Sequence, residues 1–264
     1  MTHALRQLAR LLALVLLSAL ALQLYFVARV ALMTVVNPQS TSFQRSEAWR
    51  IATERHALPW SQQWMPYERI SAHLKRAVIA SEDAGFSDHS GVEWDALEKA
   101  WERNQKAEAR VEKINEQIDR RWQKAAPTKS AASGKLPPRA QPKVVGGSTI
   151  TQQLAKNLFL GGERSLLRKG QEFVITFVLE ALLSKQRILE IYLNSVEWGE
   201  GVFGAEAAAR HYFHVAASGL GTMQAAQLAV MLPAPKRFEK RPGSPYVVGR
   251  AGTVSARMTA VEVP

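Results

Sequence analysis

The first long feature of the chain is apolar. From Leu11 to Ala28 it reads LLALVLLSALALQLYFVA, with Ser18 and Gln23 as its polar interruptions; Arg29 breaks the run, and VALMTVV carries it on to Val36. At about 1.5 Å of rise per residue, 11–36 predicts a helix long enough to cross a hydrocarbon core. Arg29 falls near one end, where its side chain reaches the headgroups. An uncleaved anchor fits this run better than a cleaved signal peptide, whose apolar stretch is normally about 7–15 residues before a small-x-small site. Arg6 and Arg10 on the tail 1–10 place that end in the cytoplasm, and so put the chain beyond the anchor outside the inner membrane of a bacterial-type cell.

Past residue 36 the pattern turns amphipathic. Residues 37–64, with Pro38, Pro59 and Trp60, read as a juxtamembrane connection. A folded domain is expected over 65–258, followed by a short tail at 259–264. In YERISAHLKRAVIASED, Ile70, Leu74, Ala77 and Val78 recur at helical spacing, which predicts a helix ending close to Glu82. Residues 95–126 mix charge signs at three- and four-residue separations, as a solvated helix does. PTKSAASGKLPPRAQPK at 127–143 carries four prolines and reads as a flexible excursion. The block 98–143 is therefore expected to be an inserted surface arm.

After the arm, GGSTITQQLAKNLFL offers Thr149 as an N-cap with Gln152 three residues on, a capping box. Segments 163–184, 185–195, 202–213 and 222–232 repeat apolar residues at helical spacing, and PAPKRF and RPGSP read as punctuation. No alternating pattern is long enough for a large sheet. The fold class expected is mainly α.

Composition narrows the function. Of 264 residues, 47% are hydrophobic and 22% charged, enough for a core and against wholesale disorder. The net charge of +11 favours an anionic partner. With no cysteine, disulfides, thiolate metal sites and a cysteine nucleophile are excluded.

Three strings carry candidate chemistry. Glu82-Asp83-Ala-Gly-Phe86-Ser-Asp88-His89-Ser-Gly91 puts two acids and a histidine where a helix ends. A carboxylate partly desolvated there serves as a general base, although a capped helix end with solvated acids gives the same string. Gly146-Gly147-Ser148-Thr149-Ile150-Thr151-Gln152-Gln153-Leu154-Ala155-Lys156-Asn157 gathers hydroxyls and backbone N–H groups at a helix start, a seat for phosphate or sugar hydroxyls, without Walker spacing. A well-capped amphipathic helix reads the same way. Arg164, Arg168 and Glu172 are four apart on one face with Lys169 beside them, either a pyrophosphate clamp or surface ion pairs. His211 and His214 lack a third ligand in sequence.

In order, Glu-Asp-x-x-Phe-x-x-His-x-Gly, Gly-Gly-Ser-Thr-Ile-Thr-Gln-Gln-x-x-Lys-Asn, Arg-Lys-x-x-Glu and Ile-Leu-Glu-x-Tyr-Leu-Asn resemble the peptidoglycan glycosyltransferases of family 51. The resemblance covers roughly 65–258 and is interrupted by the arm, which is extra to the family pattern. Neither a Ser-x-x-Lys nor a Lys-Thr-Gly string occurs, so no transpeptidase activity is expected. The fifth family motif is reduced to Arg250 and Arg257-Met258. The resemblance implies a lysozyme-like α-helical domain with a smaller membrane-facing lobe.

It also implies polymerisation of lipid II into β-1,4 glycan with inversion. Glu82 is then the general base and Glu172 the second carboxylate. Substrate contacts fall to Asp83, His89, Ser148, Thr149, Gln152, Gln153, Lys156, Asn157, Arg164, Arg168 and Lys169. No cofactor is required by the sequence, which leaves room for a divalent cation at the pyrophosphate. The partners implied are lipid II and the growing glycan chain, membrane lipids, and other cell-wall synthesis or division proteins, with no nucleic acid. A glycan-cleaving muramidase and a non-catalytic basic membrane scaffold are the competing readings. The first has no need of a pyrophosphate clamp, and the second has no need of Glu82.

Overall fold

The computed structural model describes residues 3–125, 138–141, 147–163 and 165–264. It divides into two units: the chain through Val92 together with Thr149–Pro264, and the intervening Glu93–Ser148.

The first unit opens with helix α1 (His3–Leu32), the one helix among the described residues long and apolar enough to cross a membrane. Its leucines are exposed along most of its length, and only Phe26 and Val30 are buried. At about 1.5 Å per residue the helix covers roughly 45 Å, more than a hydrocarbon core requires. It includes most of the expected tail and stops at Leu32, four residues before the predicted end.

Residues 37–64, read from sequence as a connection, contain a full helix, α2 (Ser42–Arg55). Thr41 and Gln44 form its capping box, with Thr41 N–H to Gln44 Oε1 at 2.8 Å and Gln44 N–H to Thr41 Oγ1 at 3.0 Å. Its one fully buried apolar side chain is Ile51, too few for a periodic pattern to reveal the helix. His56, at φ +51°, ends it in the left-handed conformation.

Helix α3 (Ala72–Glu82) ends at Glu82 as the spacing predicts. Leu74, Ala77 and Val78 are fully buried and face α9 (Thr222–Met231) and α11 (Pro245–Arg257). Alanines 225, 226 and 229 give α9 a small surface that lets the helices approach closely. Burying each leucine of this core contributes about 1.5–3 kcal/mol before entropy is counted. RPGSP, expected to be punctuation, is the start of α11: Ser244 caps it and Pro245 occupies its first turn. PAPKRF likewise contains a one-turn helix, α10 (Pro235–Phe238).

The second half of the unit holds α5 (Ile150–Phe159), α6 (Leu166–Leu182), α7 (Lys185–Ser195) and α8 (Ala205–Phe213). The segment expected to be helical from 202 begins instead with a strand. β1 (Ser61–Gln62), β2 (Glu197–Gly199) and β3 (Val202–Phe203) form a small sheet in the order β1-β3-β2, with β1 parallel and β2 antiparallel to β3. Gly201 at φ +75° and Gly204 at φ +82° bracket β3 and delay the helix to Ala205. Buried Asn194 ties α7 to the chain before α3, accepting from Met65 N–H at 2.7 Å and donating to Met65 O at 2.9 Å.

The base of α1 is fastened to this unit. Gln23 and Gln171 exchange side-chain hydrogen bonds of 2.8 and 3.0 Å, and Phe26 meets Phe159 edge-on. Arg187 donates to Met33 O, Val36 O and Asn37 Oδ1, which fixes the turn that leaves the anchor.

The second unit is α4 (Trp94–Ala125), the predicted charged helix. Lys106–Glu102 and Arg120–Glu116 pair along its solvated surface. Ala140 returns alongside it, held by Asn115 through bonds of 2.9 and 3.1 Å. Apart from 138–141, the Pro-rich excursion at 127–143 lies outside the described residues.

Candidate active site

Where α3 stops, two adjacent carboxylates diverge. Asp83 points inward: its side chain is 1% exposed, Oδ1 lies 2.8 Å from His89 Nε2, and Oδ2 accepts the Ile150 N–H at 2.9 Å. Gly91 N–H donates to His89 Nδ1 at 3.1 Å, so the ring proton sits on Nε2 and is given to Asp83. Gly91, at φ +87°, also gives its carbonyl to Thr149 Oγ1 at 2.6 Å. The loop after α3 is thereby stitched to the start of α5. Lys185 completes the stitching, donating to His89 O and to Glu180, which also accepts from Thr151.

Glu82 points the other way and is half-buried. Its Oε2 accepts from Gln153 Nε2 at 2.8 Å, and Gln153 Oε1 accepts from the Tyr192 hydroxyl at 2.9 Å. Tyr192 is fully buried, and burial first, then the charges of Glu82 and Asp83, push its hydroxyl well above its ordinary value. It therefore stays a donor, which fixes the Gln153 amide so that its nitrogen faces Glu82. The Glu82 carboxyl is itself raised from the usual glutamate value, chiefly by desolvation and further by Asp83. The Gln153 hydrogen bond and Lys156 act against the rise.

Helix α5 has two sides. Ile150, Leu154, Ala155 and Leu158 are buried, while Gln153, Lys156 and Asn157, at helical spacing, line a cleft of about 510 Å³. Arg168 of α6 lines the same cleft, with Phe43, Glu47, Val196 and Glu197 on its walls. Lys156 reaches solvent, yet protein atoms around it hold its ammonium below the ordinary lysine value. Arg168 and Lys169 push it down further, and Glu172 and Glu82 oppose them.

On α6, capped by Ser165, Glu172 is buried between Lys169 at 2.5 Å and Arg168 at 3.5 Å. The Arg168 Nε and Nη1 atoms are buried without a hydrogen-bond partner. A cleft-lining guanidinium whose Nη1 makes only a long contact to Glu172 is suited to an anion with several oxygens.

The sequence-expected site residues thus divide. Glu82, Gln153, Lys156, Asn157, Arg168, Lys169 and Glu172 gather around or next to the cleft. Asp83, His89, Thr149 and Gln152, expected to contact substrate, make hydrogen bonds within the fold. Thr149 and Gln152 are buried and close the capping box of α5, with bonds of 3.1 and 3.2 Å. Asp83 is enclosed, and His89 is spent on Asp83 and Gly91. Ser148 is exposed and belongs to the second unit. Arg164 lies outside the described residues. Tyr192, Glu197 and Glu47 were missed. Tyr192 belongs to a recognised motif, but its contact with Gln153 crosses from one helix to another.

A helical domain with a half-buried carboxylate beside a cleft lined by Lys156 and Arg168 defines the class, and comparison supplies its family. The chain belongs to the transglycosylase family, whose model matches residues 51–118 and 127–259, and its helical domain is the lysozyme-like one of that family. The match begins at residue 51, in the last turns of α2. The chain is 49% identical over 245 residues to the biosynthetic peptidoglycan transglycosylase of Burkholderia thailandensis, covering 93% of this chain and 83% of that protein. It is also 49% identical to the protein of the same name from Paraburkholderia xenovorans, covering 93% and 88%.

Proposed function

We propose that this protein is a peptidoglycan glycosyltransferase that polymerises lipid II into β-1,4-linked glycan strands for the bacterial cell wall. The observation that carries the reading is the Glu82–Gln153–Tyr192 relay beside a cleft holding Lys156 and Arg168. In the reaction, Glu82 takes the proton from the acceptor sugar's 4-hydroxyl. That oxygen forms a bond to the anomeric carbon of the growing chain as the bond to the lipid pyrophosphate breaks. Attack from the face opposite the leaving group turns an α-linked donor into a β-linked product.

Lys156, Arg168 and Lys169 offset the negative charge that builds on the departing pyrophosphate, which is where preorganised donors lower a barrier most. Glu172 holds Arg168 and Lys169 in place and moderates their mutual repulsion. Asp83 and His89 act as positioning residues, setting the end of α3 against the start of α5.

The apolar α1 supports a single-pass inner-membrane location with the N-terminus cytoplasmic and the catalytic domain periplasmic. Tethering holds the enzyme where its lipid-linked substrate is concentrated. Lipid II, the growing glycan and membrane lipids are its partners on this reading, with other cell-wall synthesis or division proteins as protein contacts and no part for nucleic acid. The test is to incubate the purified full chain with labelled lipid II, and separately with finished sacculi. Polymer from lipid II is expected; soluble muropeptides from sacculi with no polymer would assign a lytic enzyme instead.

A further inference from the structure

Two acidic groups on the cleft walls, Glu47 and Glu197, are not used by the reaction above, and Glu47 is already paired with Arg50 and Lys236. Glu197, on β2, is 5% exposed and lines the same cleft as Lys156, Asn157 and Arg168. Its Oε1 is buried and has no hydrogen-bond partner. The nearest cation is Lys236, whose ammonium lies 3.6 Å away, beyond a normal hydrogen bond, because it is engaged by Glu47 on α2. Glu47 is held in turn by Arg50.

A buried carboxyl oxygen left unpaired costs free energy unless a ligand pairs it. A phosphate cannot while the carboxyl is ionised, since two anions repel. A sugar hydroxyl or amide N–H can, and apolar walls at Phe43, Leu160, Val196 and Leu232 suit the face of a sugar ring. Burial, with Glu47 and Glu239 adding to it and the Lys236 ammonium 3.6 Å away opposing, raises the Glu197 carboxyl to about 7.

We infer that Glu197 is a substrate-positioning residue that hydrogen-bonds a hydroxyl or amide N–H on the sugar attached to the pyrophosphate, while Lys156 and Arg168 hold the pyrophosphate itself. The inference rests on the glycosyltransferase reading and adds a sugar contact to it. It separates the cleft into an anionic half, read by cations on α5 and α6, and a sugar half, read by an acid on the sheet.

The test compares two ligands on the detergent-solubilised full chain: lipid II, which carries the sugars, and undecaprenyl pyrophosphate, which does not. Glu197→Ala is expected to weaken lipid II binding and raise KM by about ten-fold or more, the size of one lost hydrogen bond to a charged group. Affinity for undecaprenyl pyrophosphate and the melting temperature should stay near wild type. Glu197→Met, which fills the volume without an acceptor, repeats the comparison if alanine leaves a destabilising cavity. Glu197→Gln, which keeps an oxygen, should regain much of the affinity.

Equal weakening of both ligands, or no change in either, overturns the inference. If wild type makes no polymer from lipid II, the proposed function fails. If wild type polymerises and the variants do not discriminate the ligands, only the role of Glu197 fails.

Discussion

Glu82→Gln separates chemistry from folding with little change of shape. Glutamine keeps an oxygen to accept from Gln153 Nε2, so the contact now at 2.8 Å survives as a neutral hydrogen bond. That exchange gives up about 1 kcal/mol, the difference between charged and neutral hydrogen bonds. A term of opposite sign offsets it. The Glu82 carboxyl is raised in the folded chain, mainly by desolvation. Below the ordinary glutamate value of 4.5, it is protonated whether the chain is folded or not. As pH rises through the folded value, the folded chain must carry a desolvated charge, and stability is lost.

Glutamine removes that loss, so its melting temperature relative to wild type should improve from pH 4 to pH 8. At pH 7 the two should lie within a few degrees of each other, because about 1 kcal/mol shifts a domain of this size by roughly 2–4 °C. Polymerisation of labelled lipid II should fall by about 10²–10⁴, or roughly 3–5 kcal/mol of barrier, while binding is kept. A variant that polymerises at the wild-type rate refutes the assignment of the base. One that melts many degrees lower refutes the expectation that the substitution leaves the fold intact.

Gln153→Ala removes the hydrogen bond that holds the Glu82 carboxyl down, so the acid limb of the kcat/KM profile should move to higher pH; an unmoved limb would separate Gln153 from the base. Asp83→Ala leaves the Ile150 N–H and the His89 Nε2–H unpaired in a buried site, and should cost about 2–5 kcal/mol in urea denaturation. A loss under about 0.5 kcal/mol would return Asp83 to a surface role. Gly201→Ala places a Cβ 1.9 Å from Pro59 O at φ +75°, so it should destabilise by more than about 2 kcal/mol and disturb the pairing of Ser61 with Gly201. A melting temperature unchanged in that variant would contradict the close approach.

Several elements could be read locally. The anchor announces itself because lipid tolerates almost nothing polar. Helices α3, α7 and α9 repeat apolar residues at helical spacing, and the α5 capping box is complete within four residues. Helix α2 escaped because its core contact is a single isoleucine and its cap lies outside any apolar run. Helix α11 escaped because a proline and a glycine near its start look like a break, although proline at a first turn begins a helix as readily as it ends one.

By itself the sequence determined which residues are candidates for the chemistry, because acid, amide and base types recur in motifs whose spacing can be counted: Glu82, Gln153, Lys156, Arg168 and Glu172 were all named from it, and the fold gathers them around or next to one cleft. It assigned Glu82 as the base and Asp83 as a substrate contact, but could not show how differently the two neighbouring acids are placed. Asp83 and Glu82 are adjacent and chemically alike, and only packing sends one into the fold and leaves the other in reach of a substrate. Nor could it bring Tyr192, Glu197 or Glu47 to the site, since their neighbours lie on other helices and strands. Burial and hydrogen-bond partners belong to the space between elements, and that space exists only once the chain has folded.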